Sequence, residues 1–228
     1  MITKIISTAR HRSTRALFTL GLVALLAPAS LHAGPPLICH PYEIGAAQSL
    51  PGTTDGSHWL GLDRNYDRKN LVRDTLALLT PEMPILVRME TLRRAALYTT
   101  NELKNWKTDG SGYTAEDRAL AFGLLEKLRE RTNEKGATRT LALFDAGFFA
   151  ETLRQTSMDP GVDGYPLLAQ AAAARPNDPE IQFALALVSA APKRGPGEPT
   201  DHLARARAGA KTNALLAANL ATHNPERR

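Results

Sequence analysis

The sequence predicts an all-α protein: helical hairpins packed as a short α-solenoid or an irregular bundle, preceded by an extended N-terminal arm. Three observations carry that expectation. From about residue 63 onward, apolar residues recur at three- and four-residue spacing, the period of a helix with one buried side. Proline, glycine and Asp-Pro pairs interrupt this pattern at lengths suited to single helices. No stretch of comparable length alternates apolar and polar residues with period two, as a half-buried strand would.

The chain has 228 residues, 43% hydrophobic and 22% charged, an ordinary globular balance rather than a disordered one. Its formal net charge of +5 is concentrated at the start. Residues 1–33 hold Lys4, Arg10, Arg12 and Arg15 and no acid, which leaves 24 basic against 23 acidic side chains in the rest. That remainder has no electrostatic bias toward nucleic acid or an anionic membrane.

Residues 1–33 have the order of a secretory signal peptide: a cationic start, the apolar run Ala16 to Ala27, then Pro28 and small residues up to Ala33. Twelve apolar residues rise about 18 Å as a helix, short of a hydrocarbon core of roughly 30 Å. Cleavage is expected after Ala33, or alternatively after Ala29. Arg10-His11-Arg12 is not a twin-arginine pair, and Leu37-Ile38-Cys39 lacks the small residue that precedes a lipoprotein cysteine. The expected location is periplasmic or secreted, with no membrane span in the mature chain. One cysteine cannot close an intrachain bridge, so the fold must stand on its core alone.

Residues 34–62 read as an irregular arm rich in proline and glycine: Pro35-Pro36, Pro41, Pro51-Gly52, Asp55-Gly56. Leu37, Ile38, Tyr42, Ile44, Leu50, Trp59 and Leu60 give it apolar side chains to lay across the body, which occupies residues 63–228. A first helix is expected from about Tyr66 to Leu79, with Leu71, Val72, Thr75, Leu76 and Leu79 inward. Pro81 and Pro84 break it and open the next, since proline suits a first turn. That helix carries Ile85, Met89, Leu92 and Ala96 as its buried stripe. Arg88, Arg93 and Arg94 are expected in solvent, with Glu90 pairing with Arg94 at i+4. A short helix follows around Glu102 to Trp106.

Thr114 to Asp117 has the form of a capping box, opening a helix with Leu120, Ala121, Leu124, Leu125 and Leu128 inward and Gly136 at its end. Thr138 starts another, burying Leu141, Phe144, Phe148 and Thr152. An alanine-rich helix spans Leu167 to Ala174. Asp178-Pro179, a cap followed by proline at the first helical position, starts Glu180 to Ala190. After Pro192 to Gly197, a single last helix is expected from Thr200 to about Ala221.

Two segments in the last third echo each other. Leu167 to Asn177 recurs loosely as Leu203 to Asn213, and Phe144-Asp145-Ala146-Gly147 as Phe183-Ala184-Leu185-Ala186. Small residues fall where paired helices would cross closely, Gly147 matching Ala186 and Ala172 matching Ala208. With Arg175 to Glu180 between them, residues 138–221 resemble tetratricopeptide repeats, although the consensus Trp and Tyr positions are not filled. The resemblance implies a surface that binds another protein or peptide, without catalysis and without a cofactor. The competing reading is a non-repeating helical bundle.

Cys39-His40-Pro41-Tyr42-Glu43 is the stretch most suggestive of chemistry. A thiolate, an imidazole and a carboxylate within five residues, with His58 as a fourth ligand, are the donor types of a transition-metal site or of a thiol-dependent enzyme. Zinc sites usually show two spaced ligand pairs, which this stretch lacks, and Pro36 stands where covalent haem would need a first cysteine. The alternative role for Cys39 is a small apolar anchor beneath the arm. Asp63 to Asp67, with Asp74, has the outline of a calcium loop, but Arg68 occupies the place of the required glycine. Asp159 with Asp163 and Glu116 with Asp117 are expected in turns and caps, and the Phe144, Phe148, Phe149 cluster in the core.

Overall fold

A computed structural model of the chain describes residues 35–53, 60–100, 112–190 and 199–223. Those residues contain eight α-helices and no strand: α1 (Leu71–Leu78), α2 (Ile85–Thr99), α3 (Ala115–Glu130), α4 (Gly136–Gln155), α5 (Tyr165–Ala174), α6 (Pro179–Ser189), α7 (Pro199–Ala210) and α8 (Ala214–Thr222). None of the helices described is long and apolar enough to cross a membrane. The leader, His58, the helix expected around Glu102 and the loop from Pro192 to Gly197 lie outside the described residues.

Local signals place the helix starts. Thr114 and Asp117 form the expected capping box, each side chain accepting the other's backbone N–H at 3.1 and 3.0 Å. The Asp178 carboxylate accepts the Glu180 and Ile181 amides at the head of α6, with Pro179 in its first turn. The first helix is shorter than its pattern suggests: a 3-10 turn, Arg68–Asn70, leads into α1. α3 ends at Glu130 in a second such turn, Arg131–Asn133, and Gly136 opens α4 rather than closing α3.

The last third holds two helices where one was expected. Asn213 stops the run: its side chain accepts the Leu216 N–H at 3.0 Å and caps α8, while α7 ends at Ala210. Capping by Asn competes with continuing a helix through it.

Two helices form the centre. α2 packs against α1, α3, α4 and α6, and every residue from Ile85 to Thr99 except Arg94 is buried. α4 is buried from Thr140 to Leu153, with Phe144 stacked on Phe148 at 5.7 Å. From α4 onward, helices that follow in sequence also touch in space. Gly147 of α4 lies directly against the start of α5: a β-carbon there would stand 2.7 Å from the Gly164 carbonyl oxygen and 2.9 Å from Leu168. Ala186, its counterpart in the sequence echo, is fully buried on α6.

The burial of α2 corrects the expectation that its arginines are solvated. Arg88 and Arg93 are 1% and 0% exposed, and the Arg94 side chain is 13% exposed. A helix enclosed by four others and by the arm has no outward side. Its charged residues are retained inside because irregular backbone needs donors there.

Candidate functional site

The arm is fastened to the body through its own main chain. Arg93 donates to the carbonyls of Ile38 (3.0 Å) and Leu60 (2.7 Å), and Arg94 to that of Leu50 (2.5 Å). Glu90 accepts the Tyr42 N–H at 2.9 Å and pairs with both arginines, at 2.8 Å to Arg93 and 2.6 Å to Arg94. Burial by itself would raise the Glu90 pKa. The two guanidinium groups and the Tyr42 N–H outweigh it and hold this carboxyl below its ordinary value. Gln155 of α4 accepts the Leu37 N–H at 2.7 Å. Gly52 is required at the crossing with Arg94, since a β-carbon there would fall 2.5 Å from both the Arg94 guanidinium and the Gly61 carbonyl oxygen. Leu37, Ile38, Tyr42, Leu50 and Leu60 all enter the core.

The end of α8 closes over the same segment. Asn219 accepts the Glu43 N–H at 3.0 Å and returns a bond to the Glu43 carbonyl at 2.8 Å. One turn later, His223 stacks on Tyr42 with ring centres 4.4 Å apart. Its Nε2 lies 3.2 Å from the Pro41 carbonyl, which can only accept, so Nε2 carries the proton. Burial drives the His223 pKa down to about 4, against the pull of the Pro41 carbonyl and with the help of His40 and Arg93 nearby.

Of the residues singled out for metal or thiol chemistry, Cys39, His40 and Glu43 occupy this clasped segment. Cys39 is half-buried against the core, and His40 and Glu43 are exposed. The His40 ring meets His223 edge-on at 6.0 Å. Among the described residues, no three His, Cys, Asp or Glu side chains come together as a group that could hold a metal ion. The acids of the calcium-like segment serve turns and caps instead: Asp63 accepts the Asn65 N–H, Asp67 caps the turn at Lys69, and Asp74 accepts the Tyr66 hydroxyl. Asp159 and Asp163 likewise accept amides two residues ahead, and Asp117 adds an ion pair with Arg68 at 2.5 Å to its capping role.

A second buried charge centre lies between α2 and α4. Arg88 pairs with Asp145 at 2.6 Å, donates to the Met83 carbonyl at 3.1 Å and also bonds the Thr80 carbonyl. Only one Asp145 oxygen is bonded. The other, Oδ1, has no hydrogen-bond partner among the described residues, and neither does Arg131 Nη1. Both residues line one small cavity of about 10 Å³. Burial pushes the Asp145 pKa up to about 6, against the attraction of Arg88 and Arg131.

The turn that Arg88 holds is one wall of a surface groove of about 440 Å³. Pro81, Met83 and Pro84 form that wall, with Ile85 and Leu141 beneath and the head of α6 opposite. Glu180 ties the walls together by accepting the Leu86 N–H at 3.2 Å and the Asn213 side-chain amide at 2.8 Å. A second recess of about 480 Å³ lies on the other side of Pro179, bounded by Gln182 on α6 and by Arg205, Ala208 and Gly209 on α7. Sequence reasoning placed these walls in loops and helix caps without joining them. The signal lay in Pro81, Pro84 and Pro179, whose ring-fixed backbone gives rigid edges. Compared with protein-family models, with curated proteins and with solved structures, the chain matches none.

Proposed function

We propose that this chain is an exported, non-enzymatic scaffold whose helical hairpins, tetratricopeptide-like over residues 138–221, bind another protein or a peptide. The observation that supports this best is the pair of recesses, about 440 and 480 Å³, on either side of Pro179. Their walls come from the Pro81–Pro84 turn, the head of α6 and α7, so they sit where helical hairpins meet. Concave, partly apolar junctions between helices suit the side chains of a docked segment. The export expectation rests on the order of residues 1–33.

The test is site-specific photo-crosslinking in the native compartment, with a benzophenone side chain placed at Glu82, Arg205 or the exposed α3 residue Glu126. One defined adduct from Glu82 and Arg205, absent from Glu126, is expected. Equal labelling at all three positions, or none, refutes the reading.

A further inference from the structure

The groove and the Arg88–Asp145 pair are built from the same parts. Pro81 and Leu141 line both the groove and the small cavity at Asp145, so they form the partition between them. Arg88 spans that partition, with one arm of its guanidinium on Asp145 of α4 and the others on the carbonyls of Met83 in the groove wall and of Thr80 just before it. Arg131 holds the preceding carbonyl, that of Leu79, at 3.1 Å. Two arginines therefore hold the backbone that leads into and forms the wall, and the carboxylate that compensates Arg88 has one oxygen without a partner among the described residues.

We propose that Asp145 and Arg88 act as a protonation-sensitive latch on the Pro81–Pro84 wall, closed when Asp145 is ionised and released when it is neutral. Among the described residues, the charged groups facing Asp145 are Arg88 from α2 and Arg131 from the turn after α3; Thr138, from its own helix, is the remaining polar side chain of the cavity, and no second acid lines it. Burial places the transition near pH 6, within reach of a compartment that follows the external medium. Once Asp145 is neutral, Arg88 is a buried cation without a counter-ion, an arrangement that favours moving the guanidinium toward water. In doing so it gives up the Thr80 and Met83 carbonyls, and the wall loosens. The latch regulates the binding groove proposed above and rests on that reading for its purpose. Its operation is a property of the groove alone.

Two spin labels test it without a ligand, at Glu82→Cys on the wall and Arg175→Cys across the groove, in a Cys39→Ser background. A single narrow distance is expected at pH 7.5, broadening through a midpoint near pH 6, with helicity unchanged by circular dichroism. Asp145→Asn should give the broad distribution at both ends of the range. An unchanged distance between pH 7.5 and 5, or a pH step that survives in Asp145→Asn, overturns the proposal. Hydrogen exchange on the unmodified chain supplies a second reading that needs no variant to fold. The Met83 amide, bonded to the Thr80 carbonyl at 3.2 Å, should lose at least about tenfold in protection from pH 7.5 to 5 while Leu124 in α3 does not. Constant protection at Met83 refutes the latch. A groove that moves with pH yet crosslinks nothing would refute the binding reading and leave the latch standing.

Discussion

Glu90 and Arg93, one turn apart on α2, form an ion pair at 2.8 Å in which both side chains are wholly buried. Glu90 also pairs with Arg94 at 2.6 Å, and the other bonds of the two residues go to the backbone of Ile38, Tyr42 and Leu60, so the pair connects the centre of the bundle to the arm. Removing Glu90 leaves Arg93 charged and buried without its counter-ion, which typically costs about 3–5 kcal/mol, whereas removing Arg93 leaves Glu90 its pair with Arg94. Glu90→Gln should lower the unfolding free energy by that order in urea titrations, and Arg93→Met by less. Replacing both together should cost less than the sum of the two. Additive losses would show that the two residues act independently.

Asn219 carries a smaller share of the same attachment. It is fully buried and satisfies both the N–H and the C=O of Glu43. Asn219→Leu should cost about 2 kcal/mol, the usual penalty for stranding buried polar partners. Exchange at the Glu43 amide should accelerate by about an order of magnitude. A global loss of stability without that local change would place the role of Asn219 elsewhere.

Gly147→Ala should destabilise the protein by about 1–3 kcal/mol, because the added methyl meets the Gly164 carbonyl oxygen and Leu168. Gly123, inside α3, has nothing within 4 Å of the same atom. Gly123→Ala should therefore stabilise by about 0.5–1 kcal/mol through helix propensity. Thermal melts of the two variants should shift in opposite directions.

His223 and Asp145 should give opposite pH dependence. The His223 pKa is about 4 in the folded chain against 6.5 ordinarily, so from pH 6.5 down to 4 the unfolded chain takes up a proton that the folded one refuses. Its contribution to stability therefore falls as pH drops, by about 3 kcal/mol across the window. Asp145 is raised to about 6 from 3.8, so between those values the folded chain keeps a proton that the unfolded one has released. Its contribution falls as pH rises, again by about 3 kcal/mol. The two therefore oppose each other between pH 4.5 and 6. His223→Gln should become more stable toward acid across that range and Asp145→Asn less stable. Urea midpoints at pH 4.5, 5.5 and 6.5 decide it, and parallel slopes in the two variants would refute the assignment.

The helices were legible in the sequence wherever a local rule decided them: the Thr114–Asp117 box, Asp178-Pro179, and the stripe of Leu124, Leu125 and Leu128. The break at Asn213 was missed because Ala, Leu and Lys surround it and their spacing continues on both sides. The arginines of α2 were misplaced for a physical reason. Periodicity assigns a charged residue to water, and only the tertiary fold reveals the carbonyls of Ile38, Leu60, Thr80 and Met83 that receive Arg88 and Arg93. His223 carried no signal at all, since its partners Pro41 and Tyr42 lie more than 180 residues earlier.

That separation sets an order of events. The bonds between Glu43 and Asn219 span 176 residues, and the bond from Leu37 to Gln155 spans 118. A chain made from its N-terminus presents the arm first, then α2 with Glu90, Arg93 and Arg94, and only at the end Asn219 and His223. The arm can meet α2 early, whereas its contacts with the end of α8 must wait for the whole chain. Closure of α8 over the arm is therefore the last of these attachments. Until it occurs, Tyr42 and Glu43 lack the cover of His223 and Asn219, which defines an interval in which a chaperone or a protease reaches this part of the arm before the chain's own end does.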